Sequence, residues 1–305
     1  MAGKHSKSIF ASIGDSLALK IESRIYGKSE MSVPFKIVTI TLVISLLLSS
    51  ILVGRFFAVG NAHKKIFSNA AKHFVALGGN EAIKVLAESN SDVKGWINID
   101  GTDINYVICQ GEDDKYYTNH NQLGKKSRYG AIALSASDSF ERVGGDQNIV
   151  IFGNNMKDGT MFGSLKKYRN LNFYKQNPSI ELYYGEKAEN YIIFAIMLVA
   201  SNADDAGSIY NPSKSHFTDE EEFETWYDET VSRSMITTKI DVESDDELLT
   251  LVTSAKDFEG ARLVVMAKKA TEWEISHTDT SRAVVNGKTK YPQIWYTERG
   301  LEYPF

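Results

Sequence analysis

Two stretches of this chain hold the residues best placed to do chemistry. In the first, residues 148–169 (NIVIFGNNMKDGTMFGSLKKYR), a short apolar run meets a Gly-rich turn carrying Asn154 and Asn155, then continues as a predicted helix. In the second, residues 248–265 (LLTLVTSAKDFEGARLVV), two apolar runs flank a loop, with Ser254 closing the first and Arg262 opening the second. Eight residues of separation across a hairpin bring both side chains to one rim of a sheet. A serine hydroxyl works as a nucleophile only beside a general base, and the amide of Asn154 has no titratable proton to exchange. Two histidines lie in or near the well-patterned blocks: His120 in YYTNHNQ, and His216 ahead of an acidic run. Either would make Ser254 a hydrolase nucleophile if it reached the same rim, but each reads first as a surface loop residue. Cys109 is the other possible nucleophile. It sits inside INYVICQ, a predicted strand far from Ser254 in sequence, where a lone cysteine reads as a small core hydrophobe.

The elements that must position these residues are visible as short apolar runs between turn residues. GWINID, INYVICQ, GAIALS, NIVIFGN, SIELYYG, ENYIIFAIMLVA, ELLTLVTS and ARLVVMAKK are β-branched, aromatic and short, so they predict eight strands in a mainly β barrel or sandwich. One helix interrupts them. Thr218 and Glu221 have capping-box spacing, the acids at 220–222 suit a helix N-terminus, and Phe223, Trp226, Tyr227 and Val231 fall on one face. Ahead of the strands, residues 61–90 read as helical, broken at Gly78-Gly79 and restarted at Asn80 as N-cap. Beyond Lys269 the apolar density falls, and the tail ends KYPQIWYTERGLEYPF.

Composition bounds what such a unit does. The 305 residues carry 34 Lys+Arg against 39 Asp+Glu, a net charge of −5 that supplies no basic face for nucleic acid. A hydrophobic share of 43% gives ample core. A single cysteine excludes an intramolecular disulfide and cysteine-cluster metal sites, and no dedicated carboxylate cluster stands out for calcium, so neither metal nor cofactor is expected.

The segment Ile37–Val53 (IVTITLVISLLLSSILV) passes seventeen residues without a charge. Extended past Arg55, which can snorkel, it reaches Val59 and predicts a single transmembrane helix over residues 37–59. It is longer than a signal-peptide core, and no small-x-small cleavage site follows directly. Lys4, Lys7, Lys20, Arg24, Lys28 and Lys36 precede it; Arg55, Lys64, Lys65 and Lys72 follow, so the bias towards an N-terminus inside is slight.

Taken together, GWINIDGTDINYVICQ, DDKYYT, NIVIFGNNMKDGTMFGSLKKYRN, FYKQNPSIELYYG and LLTLVTSAKDFEGARLVV resemble, in order and spacing, the class B sortases, membrane-anchored transpeptidases of Gram-positive bacteria. The resemblance covers about residues 60–269. It implies an eight-stranded sortase β-barrel with N-terminal helices and one long helix before the last two strands. It also implies a layout of cytoplasmic segment 1–36, anchor 37–59, juxtamembrane helices 60–90, extracellular barrel 91–269 and C-terminal extension 270–305, and it strengthens the N-inside orientation.

The chemistry implied uses a cysteine thiolate to attack the backbone carbonyl of a sorting signal, a histidine to move protons, and an arginine to steady substrate or oxyanion. The family patterns are a Gly-His-Asn-Met turn and a Thr-Cys strand end. This chain reads Gly153-Asn154-Asn155-Met156 and Thr253-Ser254, so Ser254 stands at the family's Cys position, Asn154 at its His position, and only Arg262 matches. The expectation is a pseudo-sortase at the cell membrane that binds sorting-signal peptides or surface proteins, or assists an active sortase. The alternative is an active cysteine/serine transpeptidase of the class that attaches surface proteins to the cell wall. Tyr291-Pro292-Gln293-Ile294 faintly resembles the Asn-Pro-Gln-Thr core of class B signals, so the tail either docks in the vacated groove or forms an extra strand or disordered extension.

Overall fold

The computed structural model describes residues 20, 33–142, 147–201 and 210–305. Most of the expected cytoplasmic segment 1–36 lies outside the described residues. The chain divides into two units, residues 1–65 and 66–305. The first holds most of helix α1 (Val33–Leu77), which is long and apolar enough to cross a membrane by length and composition, with no part of its most apolar window buried.

In the second unit, eight strands close into a barrel: β1 (Val93–Asn98), β2 (Asn105–Cys109), β3 (Ile132–Leu134), β4 (Asn148–Phe152), β5 (Ser179–Tyr184), β6 (Lys187–Ala200), β8 (Leu248–Ser254) and β9 (Ala261–Ala270). Between β6 and β8 the two-residue β7 (Ile236–Thr237) lies outside the barrel wall. The wall runs β1-β2-β3-β4-β8-β9-β6-β5 and closes through β5 against β1. These eight strands are the eight apolar runs of the sequence. β2–β3 and β4–β8 pair in parallel; every other neighbouring pair in the wall is antiparallel.

Alternation along the strands sorts residues into two layers. Leu249, Leu251, Leu263 and Val265 point into the barrel with Ile97, Ile108, Ile149 and Leu182. Their neighbours Leu248, Val252, Val264 and Met266 point outward and are covered by α4 (Glu220–Arg233), which lays Phe223 and Trp226 on them. Two covered faces explain why β8 reads as a continuous apolar run. Each of the two aromatic anchors contributes about 1.5–3 kcal/mol of burial. β8 is buried along its length up to Ser254, the first exposed residue.

The helix starts differ from expectation by a residue or two. Asp219, not Thr218, is the N-cap of α4, its carboxylate accepting from the Glu222 N–H at 2.9 Å; Thr218 instead donates to Glu222. A carboxylate one residue later competes well for the same orphan amides. Val231 is exposed, and the buried face is completed by Thr230 and Arg233. The helix α2 (Gly79–Ser89) starts after Gly78, not Asn80, and has no side-chain cap. Gly78 at φ +81° already turns the chain, so Asn80 falls inside the first helical turn. Within the second unit, Phe74 near the end of α1 stacks on Trp96 of β1 at 4.4 Å.

The tail is ordered, and it supplies an extra strand rather than a disordered extension. It forms α5 (Glu272–His277), β10 (Val284–Val285) paired with β7, and α6 (Gln293–Thr297). Two other short segments matter to the site: a 3-10 turn at Phe162–Arg169 and α3 (Leu171–Gln176).

Candidate active-site rim

Ser254 and Arg262 are directly paired residues at the β8–β9 end. On the far side of β9, Arg262 pairs with Val199 of β6, so Val199, Arg262 and Ser254 form one row across three strands. Directly opposite antiparallel residues share a face, and the parity of Val252 and Val264 fixes it as the outer one. Ser254 is exposed and its hydroxyl has no hydrogen-bond partner among the described residues. Arg262 is half-buried, and among the described residues its guanidinium has neither an ion-pair nor a hydrogen-bond partner. Val199, Val252 and Phe152 supply an apolar floor beside this free cation. A guanidinium over such a floor is suited to hold a peptide carbonyl or carboxylate.

Asn154 follows β4, whose parallel pairing matches Phe152 to Val252, and the Gly153 N–H extends it to the Val252 carbonyl at 3.2 Å. The turn that holds Asn154 is built by close approach. A Cβ on Gly163 would stand 2.3 Å from the Met156 carbonyl, so only glycine fits. The Asn154 amide then donates to the Thr118 carbonyl at 2.8 Å and the Tyr129 carbonyl at 3.1 Å, both in the long β2–β3 loop. Both N–H groups are spent on backbone carbonyls, so Asn154 acts here as a structural donor. Asn155 reaches the hairpin instead, its Nδ2 donating to the Ser254 carbonyl at 2.7 Å. The sequence places Asn155 in the turn without a role, and only the three-dimensional register exposes its link to Ser254.

The remaining candidates fall elsewhere. Cys109 is fully buried under Trp96 and Tyr117, and burial pushes its thiol up to about 12. His120 belongs to the loop that holds Asn154; its ring stacks on Tyr116 at 4.1 Å, and Nδ1 donates to the Tyr116 carbonyl at 2.8 Å. His216 follows Ser215, whose carbonyl accepts from Gln147 ahead of β4. That is the opposite end of β4 from Asn154, about 20 Å along the strand. A surface cavity of about 350 Å³ between Lys268, Trp273 and Arg282 lies at the far end of β9 and is not part of the rim. Tyr291 and Ile294 of the segment that faintly resembles a sorting signal pack on the interior cluster, on the other layer of the hairpin from Ser254 and Arg262.

The Sortase domain profile matches residues 97–270 of the chain, from β1 to the end of β9. The chain belongs to the sortase family. Its relatives are of class B: sortase B of Listeria monocytogenes is 30% identical over 194 residues, covering 63% of this chain and 75% of that protein. The crystal structure of Clostridium perfringens sortase B superposes with a TM-score of 0.56 at 33% identity, over 62% of this chain and 99% of that one. A Staphylococcus aureus sortase B–substrate complex shares the fold, with a TM-score of 0.62 at 22% identity over 70% and 98% of the two chains. The closed eight-stranded barrel is the sortase fold. Within this sortase, the two sequence segments singled out for chemistry converge on one rim.

Proposed function

We propose that this chain is a membrane-anchored class B sortase-like protein of a Gram-positive cell surface that binds sorting-signal peptides, or assists an active sortase, without transpeptidase chemistry of its own. The proposed layout is a cytoplasmic segment 1–36, an anchor over 37–59, juxtamembrane helices 60–90, an extracellular barrel over 91–269 and an extension 270–305. The observation that carries the reading is the state of Ser254: among the described residues its hydroxyl is exposed beside an Arg262 that has no charged partner, with no base in contact, while Asn154 is committed to two carbonyls. A thiol can be ionised by its surroundings at neutral pH, whereas a serine hydroxyl cannot. Removing a nucleophile and its base forfeits several orders of magnitude in rate, in a manner that does not add. Peptide binding needs neither group. It needs the guanidinium and the apolar floor, and both are present.

The second reading is an active transpeptidase that uses Ser254 with a relocated base. One observation favours it: the His120 loop borders Asn154 through the Thr118 carbonyl. Fluorescence anisotropy with a labelled peptide carrying the Asn-Pro-Gln-Thr core, followed by mass spectrometry of the same mixture, separates the two. The expected result is saturable binding that weakens at least tenfold in Arg262→Ala, with the peptide intact. Peptide cleavage that disappears in Ser254→Ala and His120→Ala would establish the second reading.

A further inference from the structure

Residues 271–305 lie beyond the matched domain, yet they pack as a strap along the barrel. Ala283 is fully buried in the interior cluster, and Tyr291, Ile294 and Trp295 pack against it. Lys290 fixes the middle of the strap, its Nζ 2.9 and 3.0 Å from the two carboxylate oxygens of Glu229 on α4. The end of the strap reaches the β8–β9 loop. There the Glu259 N–H donates to the Glu298 carboxylate at 3.1 Å, and Arg299 Nη2 donates to the Asp257 carbonyl at 3.3 Å. Arg299 is itself held by its stack 4.2 Å over the Trp295 ring. From the opposite flank, Arg169 makes a bidentate pair with the Asp257 carboxylate at 3.0 and 2.5 Å. Arg169 ends the 3-10 turn that follows the Asn154 segment. The six residues between Ser254 and Ala261 are therefore gripped on one side by the Asn154 segment and on the other by the tail.

We propose that the C-terminal extension is a positioning strap for the peptide groove, in which Glu298 and Arg299 hold the β8–β9 loop so that Ser254 and Arg262 keep the directly paired geometry a ligand meets. The inference rests on the peptide-binding reading above. A loop of this length would otherwise pay its ordering cost when the peptide binds, and holding it in place beforehand removes that cost from the affinity.

The test uses the full chain in detergent micelles with two readouts: amide exchange across residues 255–261, and affinity for the Asn-Pro-Gln-Thr peptide. Glu298→Ala and Arg299→Ala are each expected to speed exchange of the Glu259 amide about fivefold and to weaken peptide binding about three- to tenfold, at an unchanged thermal midpoint. Glu298→Gln keeps an oxygen that accepts from the Glu259 N–H and is expected to match the unmodified chain in both readouts. Unchanged exchange in the two alanine variants overturns the proposal, as does faster exchange with undiminished affinity. A glutamine variant as impaired as the alanine one overturns it too. An unmodified chain that binds no peptide refutes the peptide-binding reading instead, and the exchange data alone then support or overturn the grip of the strap.

Discussion

If Cys109 is a core residue, the one thiol of this chain should resist alkylation as long as the barrel is closed. Its side chain is fully buried, and burial pushes its pKa up to about 12. At pH 8 about 10⁻⁴ of such a thiol is ionised, against about a fifth to a quarter of an ordinary cysteine with pKa near 8.5. Only the thiolate reacts, so ionisation alone slows alkylation by about three orders of magnitude before steric exclusion is counted. The assay follows incorporation of iodoacetamide by mass spectrometry at pH 8, with and without urea. Fast labelling in urea and a native rate at least a thousandfold slower are expected. A native rate within about tenfold of the unfolded one would refute the reasoning, because it would put a reactive thiol in the folded protein and reopen cysteine chemistry.

Three further outcomes follow from buried polar contacts. Glu189 accepts from Tyr184, Tyr191 and Lys269; burial raises its pKa, but the Lys269 and Tyr184 hydrogen bonds outweigh that and hold the carboxyl below its usual range. A depressed carboxyl stabilises the fold above its ordinary pKa and loses that contribution as pH falls, so the thermal midpoint should drop below about pH 4.5, and the drop should shrink in Glu189→Gln, which costs about 1–3 kcal/mol at neutral pH. Asn154→Asp replaces a double donor to two carbonyls by a carboxylate that cannot donate; it should destabilise by about 1–3 kcal/mol at neutral pH in chemical denaturation, with the loss shrinking as pH falls towards about 4, because facing two carbonyls the folded-state carboxyl takes up its proton above its ordinary pKa. Gly130→Ala would set a Cβ 2.4 Å from the Tyr117 carbonyl and 2.8 Å from Asn154 Nδ2 at φ +65°, so a loss of about 1–3 kcal/mol is expected in the same assay.

The barrel was legible because each strand is a short β-branched run ended by a turn, and the Ser254–Arg262 pairing was legible because a hairpin sets its own register. Both signals are local. The fate of Asn154 was not, since its partners at Thr118 and Tyr129 come from a loop whose path no periodicity encodes. The tail was unreadable for a related reason. Its helices are five or six residues long, too short to show a periodic face, and what orders them is scattered contact: Tyr291, Ile294 and Trp295 on the interior cluster, and polar links to Glu229, Asp257 and Glu259. At the start of α4, Asp219 and Thr218 are both competent caps, and sequence alone does not rank neighbours one residue apart.

The most direct measurement compares turnover of a sorting-signal peptide and an amine acceptor by the unmodified chain and by the Asn154→His/Ser254→Cys double variant. The expected result is no transpeptidation above background for the unmodified chain and measurable, Arg262-dependent turnover for the variant. An unmodified chain that turns over as fast as the double variant would contradict the reading of this rim as a binding site without a nucleophile.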